Sequence, residues 1–207
     1  MKILLEREGV NPNKPDIEGR TPLLYSASRG REGVVRILLG REEVKPDWPD
    51  DGGRTPLLYA AKNGHEGVVK ILLGREEVKP DGPDNDGRTP LSYAAQGGHE
   101  GIVEIVLGRE EVNPDKPDDR GRTPLSYAAW YVREGVVKIL LGREEVNSNK
   151  PDNGGQTPLM LATVWGRQGV IALLQSYHAV TSKLVLPKAK EISPRGNHDR
   201  PFLFGAR

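Results

Sequence analysis

Thr-Pro-Leu stands at Thr21, Thr55, Thr89, Thr123 and Thr157, a spacing of 34 residues without slippage. A fixed period in this range builds a solenoid, because one unit of this size cannot bury its own apolar face and must lean on its neighbours. Each unit reads as two short helices and a long polar connection. Thr21 is set to cap the first helix, and Pro22 to open it, where the missing N–H costs nothing. That helix runs through Leu23, Tyr25 and Ala27 and is expected to stop near Gly30, in a left-handed cap. A second helix presents Val34, Val35, Ile37, Leu38 and Leu39 as a broad apolar face and ends in Gly-Arg-Glu-Glu. The connection Val44-Lys45-Pro46-Asp47-Trp48-Pro49-Asp50-Asp51-Gly52 is too rich in Pro, Asp and Gly to be helix or central strand.

The pattern T-P-L-x-x-A-A-x-x-G-H-E-x-V-V-x-x-L-L, clearest from Thr55 to Leu73, resembles the ankyrin repeat. The resemblance covers roughly residues 1–181. It implies an all-α, ankyrin-like helix-turn-helix solenoid with extended loops or short hairpin fingers between units. A partial repeat would occupy 1–18, four full repeats 19–52, 53–86, 87–120 and 121–154, and a degenerate fifth 155–181. Two departures stand out. The family's His after Thr-Pro-Leu is replaced by Leu24, Leu58, Ser92, Ser126 and Met160, so its hydrogen bonds are expected to be absent. The Gly-Ala-Asp before the valine is contracted to Glu-Glu, and the stretch after it holds Pro46 and Pro49, which remove ladder donors and favour an extended loop over a hairpin. This variant is similar to arrays of fungal intracellular proteins, often found downstream of a nucleotide-binding switch domain.

Charge narrows the partners. With 30 Lys plus Arg against 29 Asp plus Glu, nothing drives the chain toward nucleic acid or an anionic membrane. No cysteine is present for a disulfide, a thiolate zinc site or a thiol nucleophile. No apolar run approaches the ~20 residues that span a bilayer, and MKILLEREGV lacks the core and flank of a signal peptide. The expected compartment is the cytoplasm, with the nucleus open.

The ends are irregular. Lys2-Ile3-Leu4-Leu5 aligns with Arg36-Ile37-Leu38-Leu39, so the chain begins inside a second helix, and Ile3, Leu4 and Leu5 would lack a covering unit. Either a short frayed cap or a piece of a longer array fits, and self-association through this edge is expected. The fifth unit degenerates after Leu174 into Gln175-Ser176-Tyr177-His178. Residues 182–207, with six basic and two acidic residues and three prolines, read as a tail without an assigned fold. Phe202-Leu203-Phe204 reads as a docking motif, a loose end or a segment packed against the last repeat.

Catalytic patterns are missing: no phosphate loop, G-x-S-x-G elbow, H-E-x-x-H or EF-hand loop occurs. His65-Glu66 and His99-Glu100 are half of a zinc motif, and their recurrence at the unit spacing marks them as framework rather than metal ligands. Glu42-Glu43 and its three copies read as a solvated rim facing Arg41, Arg75, Arg109 and Arg143. Arg20, Arg54, Arg88 and Arg122 precede each first helix. They fit either inter-repeat pairing with loop aspartates or the grip of an acidic partner.

Positions that vary between copies are free of the frame's packing duty. They fall at the end of the first helix (Trp130-Tyr131 and Val164-Trp165 among them), at the loop tip (Trp48, Gly82, Lys116, Lys150) and in the turn before the arginine row. The ankyrin resemblance implies that these columns line a concave ligand face. All three tryptophans, Trp48, Trp130 and Trp165, lie in them. A partner-binding role is therefore expected for Trp48, Arg54, Arg88, Arg122, Trp130, Tyr131 and Trp165. For the Trp130, Tyr131 and Trp165 cluster the competing reading is local packing around Val132, which replaces the cap glycine. The resulting expectation is a non-catalytic protein-interaction module without cofactor or metal. The rivals are the recognition array of a larger nucleotide-switch protein and an enzyme, which would need a convergent polar pocket.

Overall fold

The computed structural model describes residues 11–184. Ten helices lie in this span, paired into five units: α1 Pro22–Ser28 with α2 Glu32–Leu39, α3 Pro56–Lys62 with α4 Glu66–Leu73, α5 Pro90–Gly97 with α6 Glu100–Leu107, α7 Pro124–Trp130 with α8 Glu134–Leu141, and α9 Pro158–Val164 with α10 Gln168–Leu184. First helices pack on first helices and second on second, while each pair also packs within its unit. Two parallel rows result.

The threonine caps all form. Thr21, Thr55, Thr89, Thr123 and Thr157 each accept from the backbone N–H three residues on, at 3.2–3.3 Å, with the proline opening the helix behind them. The first helices end where the chain turns left-handed, at Gly30, Gly64, Gly98 and Gly166. Val132 takes that place in the fourth unit at φ 60°, where a β-branched side chain is strained.

The core is a column of equivalent side chains. Leu23, Leu57, Leu91 and Leu125 are buried, as are Ala27, Ala61, Ala95 and Ala129 and, from the second row, Val35, Val69, Val103 and Val137. Ile37, expected on the apolar face, is instead 39% exposed. Inter-unit hydrogen bonds tie the rows. His65 Nε2 lies 3.1 Å from the Ser28 carbonyl and His99 Nε2 3.2 Å from that of Lys62. Arg133 takes over the same duty, donating to the Gln96 carbonyl at 3.0 Å. These close free carbonyls at the ends of preceding helices, as the framework reading of the histidines requires. Arg109 and Arg143 likewise donate to the carbonyls of Leu73 and Leu107, whereas Arg41 and Arg75 meet Glu43 and Glu77. The rim pairing expected in every unit holds in two.

No strand occurs among the described residues. The connections close on a turn in which Asp50 N–H donates to the Arg54 carbonyl at 3.0 Å, repeated by Asp84 with Arg88 and Asp118 with Arg122. Neighbouring turns join through Asn85 N–H to Gly52 O and Asp119 N–H to Asp86 O, both 3.0 Å. The fingers are thus stacked turns without a strand ladder among the described residues.

Three expectations need correction. The hydroxyls of Ser92 and Ser126 are not idle where the family's His is lost. They lie 3.2 and 3.1 Å from the cap oxygens of Thr89 and Thr123, and Ser126 also accepts from Thr123 N–H, completing a capping box. The stretch read as a tail from residue 182 begins inside a helix: α10 continues through Leu174 to Leu184, and His178 meets the Ser148 hydroxyl at 2.9 Å. The arginine row pairs within its own turn, not between repeats, as described below. The N-terminal edge at Ile3, Leu4 and Leu5 and the Phe202-Leu203-Phe204 segment lie outside the described residues.

Candidate protein-binding surface

Trp130 is the last residue of α7 and Trp165 caps α9, so neighbouring first helices deliver both rings to one end of the stack. The rings meet edge to face, with centroids 5.7 Å apart at 70°. Trp165 lies one period beyond Tyr131 in the sequence, yet its ring engages Trp130. Neither ring is sheltered: Trp130 remains 38% and Trp165 52% exposed, with Tyr131 exposed beside them. On α9, Val164 and Met160 are exposed as well and, four residues apart, share a side of that helix. Met160 was missed as a surface residue. Its signal was the loss of the unit's pattern at that column, where the other copies carry Leu or Ser.

Trp48 does not join this cluster. It sits in the loop between α2 and α3, with the Lys45 ammonium 4.4 Å from its ring centre.

The arginines have local duties. The Arg54 Nη2 pairs with Asp50 Oδ2 at 2.9 Å, Arg122 with Asp118 at 2.9 Å, and Arg88 with Asp86 at 3.1 Å. These three turns centre on buried aspartates, Asp50, Asp84 and Asp118. Asp118 accepts from the backbone N–H groups of Arg120 and Arg122 at 2.9 and 2.8 Å and from the Tyr127 hydroxyl at 2.6 Å. Asp84 receives Tyr93 at 2.7 Å, and Asp50 receives Tyr59 at 2.9 Å. Burial works against the Asp118 charge, but the Tyr127 hydroxyl, the backbone donors and the Arg122 guanidinium outweigh it and hold the carboxyl below its ordinary value. Asp50 is lowered by the same balance. Burial and the Asp84 carboxylate in turn push the Tyr93 hydroxyl up to about 12, and Tyr127 rises for the same reasons. The strongest perturbations are therefore explained by turn structure. In the fifth unit Gln156 and Leu161 replace arginine and tyrosine together, leaving Asp152 only backbone donors.

Among the described residues no group of three or more His, Cys, Asp or Glu is placed to hold a metal ion, and no helix is long and apolar enough to cross a membrane.

The family model described as ankyrin repeats (3 copies) matches residues 1–81, 75–152 and 110–183. The chain belongs to the ankyrin-repeat family. No curated protein matches it. Ankyrin repeats serve generally as protein–protein interaction modules.

Proposed function

We propose that this ankyrin array is a non-catalytic module that binds another protein through the face formed by Trp130, Tyr131 and Trp165, acting in the cytoplasm or the nucleus. The observation that carries the reading is the exposed Trp130–Trp165 pair, which spans two units of a largely polar surface. Buried cores stabilise these arrays without help from exposed tryptophans, and large aromatic side chains are the residues that anchor interfaces when a partner covers them. A contiguous apolar patch of this kind marks an interaction site. Val164 and Met160 widen the patch. The arginine row is not needed for this reading, since the turn aspartates already engage it, and Trp48 lies outside the Trp130 face.

The test is site-directed photocrosslinking. A photoreactive phenylalanine at position 131 is expected to give discrete crosslinked products in extract from the source cells, while the same group at position 70, on the outer face of α4, gives none of them. Identical products from both positions would contradict the proposal.

A further inference from the structure

A second feature lies in the loops, at a column that runs Asp47, Asp81 and Asp115 through three successive units. In two of them a lysine from the next unit closes the carboxylate. Lys116 Nζ donates to the Asp81 carbonyl at 2.8 Å and to its Oδ2 at 3.0 Å. Lys150 Nζ repeats the arrangement at Asp115, donating to its carbonyl at 2.9 Å and lying 3.2 Å from its Oδ2. At Asp47 the equivalent residue is Gly82, and the ammonium is missing. The backbone is the same at all three places: Gly82, Lys116 and Lys150 each donate to the carbonyl three residues back, at 3.3, 3.3 and 3.1 Å. Asp47 Oδ2 keeps a single long bond, from Lys79 N–H at 3.4 Å, and among the described residues no ammonium or guanidinium pairs with it. The Oδ1 atoms of all three aspartates are buried without a partner, so that feature belongs to the frame. What sets Asp47 apart is the absent contact cation: the Lys79 ammonium, where the other units carry Asn113 and Asn147, acts on the carboxylate by charge without an ion pair.

Asp47 also borders a notch of about 530 Å³, walled by Lys45, Pro46, Trp48 and Pro49 and by Glu77 from the next unit. Its aromatic wall already accepts a cation, since Lys45 lies over Trp48. An alkyl stem along proline and tryptophan with an ammonium at a carboxylate is the chemistry of a lysine side chain.

We propose that Asp47 and the Trp48 notch are a receptor for a lysine side chain of a bound protein segment, which takes the place that Lys116 and Lys150 take at Asp81 and Asp115. The occupant's identity as protein rests on the interaction role proposed above. The site itself is separate from the Trp130 face and is tested without a partner.

The probe is N-acetyl-lysine methylamide, titrated into the full chain at constant ionic strength while NMR follows the Trp48 indole N–H and the Gly82 amide. Saturable shifts are expected, with none from the neutral N-acetyl-norleucine methylamide. Gly82→Lys should abolish them by filling the site from within and should raise the melting temperature above that of Gly82→Ala, which keeps the shifts. The Gly82 position allows this, because an added Cβ meets nothing nearer than 3.4 Å. Asp47→Asn should abolish the shifts independently, and Trp130→Ala with Trp165→Ala should leave them intact. Equal shifts with norleucine, no saturation, or unchanged shifts in Gly82→Lys or Asp47→Asn would overturn the proposal.

Discussion

The Tyr127 hydroxyl donates to Asp118 Oδ2 at 2.6 Å, across nine residues and with both groups buried. The bond fastens the turn of the fourth unit to its first helix. Among the described residues Tyr25, at the same position of the first unit, donates to no carboxylate and is 50% exposed. Tyr127→Phe should therefore cost about 1.5–3 kcal/mol, the range for a hydrogen bond to a charged group. Tyr25→Phe should stay within ~0.5 kcal/mol of the parent. Denaturant melts of the two variants check the contrast.

The same turn sets a pH dependence. The folded-state pKa of Asp118 is held below its unfolded value, so its ionised form stabilises the fold above about pH 3.9 and that contribution is lost as pH falls through the lower, folded value. Asp118→Asn should lower the melting temperature at neutral pH, and the gap from the parent should narrow below about pH 4. A gap that stays constant to pH 3 would contradict the assignment.

Val132 stands at φ 60°, where the other units have glycine. A strained backbone of this kind costs on the order of 1–3 kcal/mol, offset in part by the packing of Val132 against the core. Val132→Gly should raise stability by about 1 kcal/mol. A melt showing destabilisation would mean that the packing outweighs the strain.

Stacking predicts that position in the array matters. Leu91 is fully buried between two neighbours, and Leu159 is half-buried in the last unit. Leu91→Ala should destabilise by ~2–5 kcal/mol, while Leu159→Ala should cost less and loosen mainly the last unit. Equal losses, each with one unchanged cooperative transition, would exclude nearest-neighbour behaviour.

The helices, threonine caps and left-handed glycines were legible because each is a local rule repeated at one spacing. What the sequence hid is contact between different columns. Asp118 and Tyr127 recur at the same period as Thr-Pro-Leu, but periodicity does not say that one bonds the other, so the arginine row looked free to pair between repeats. His65 reads as framework, while its acceptor, the Ser28 carbonyl, lies 37 residues back. Lys116 and Lys150 looked like unconstrained variation until Asp81 and Asp115 supplied their partners. The extension of α10 was missed because unit consensus fades after Leu174. The available signal was the lack of any Gly or Pro between Gly169 and Pro187. The aromatic cluster was legible as a column, though the pairing of Trp165 with Trp130 rather than Tyr131 was not.

Selection of the partner by the Trp130–Trp165 face is measured by comparative affinity capture with quantitative mass spectrometry. Trp130→Ala with Trp165→Ala is compared with the parent and with Lys70→Ala plus Lys138→Ala, two exposed lysines on the second helices, each array first confirmed folded by circular dichroism and melting. Proteins captured by the parent and the lysine pair should be lost from the tryptophan pair, if that face selects them. Capture unchanged by the tryptophan substitutions would contradict that selection.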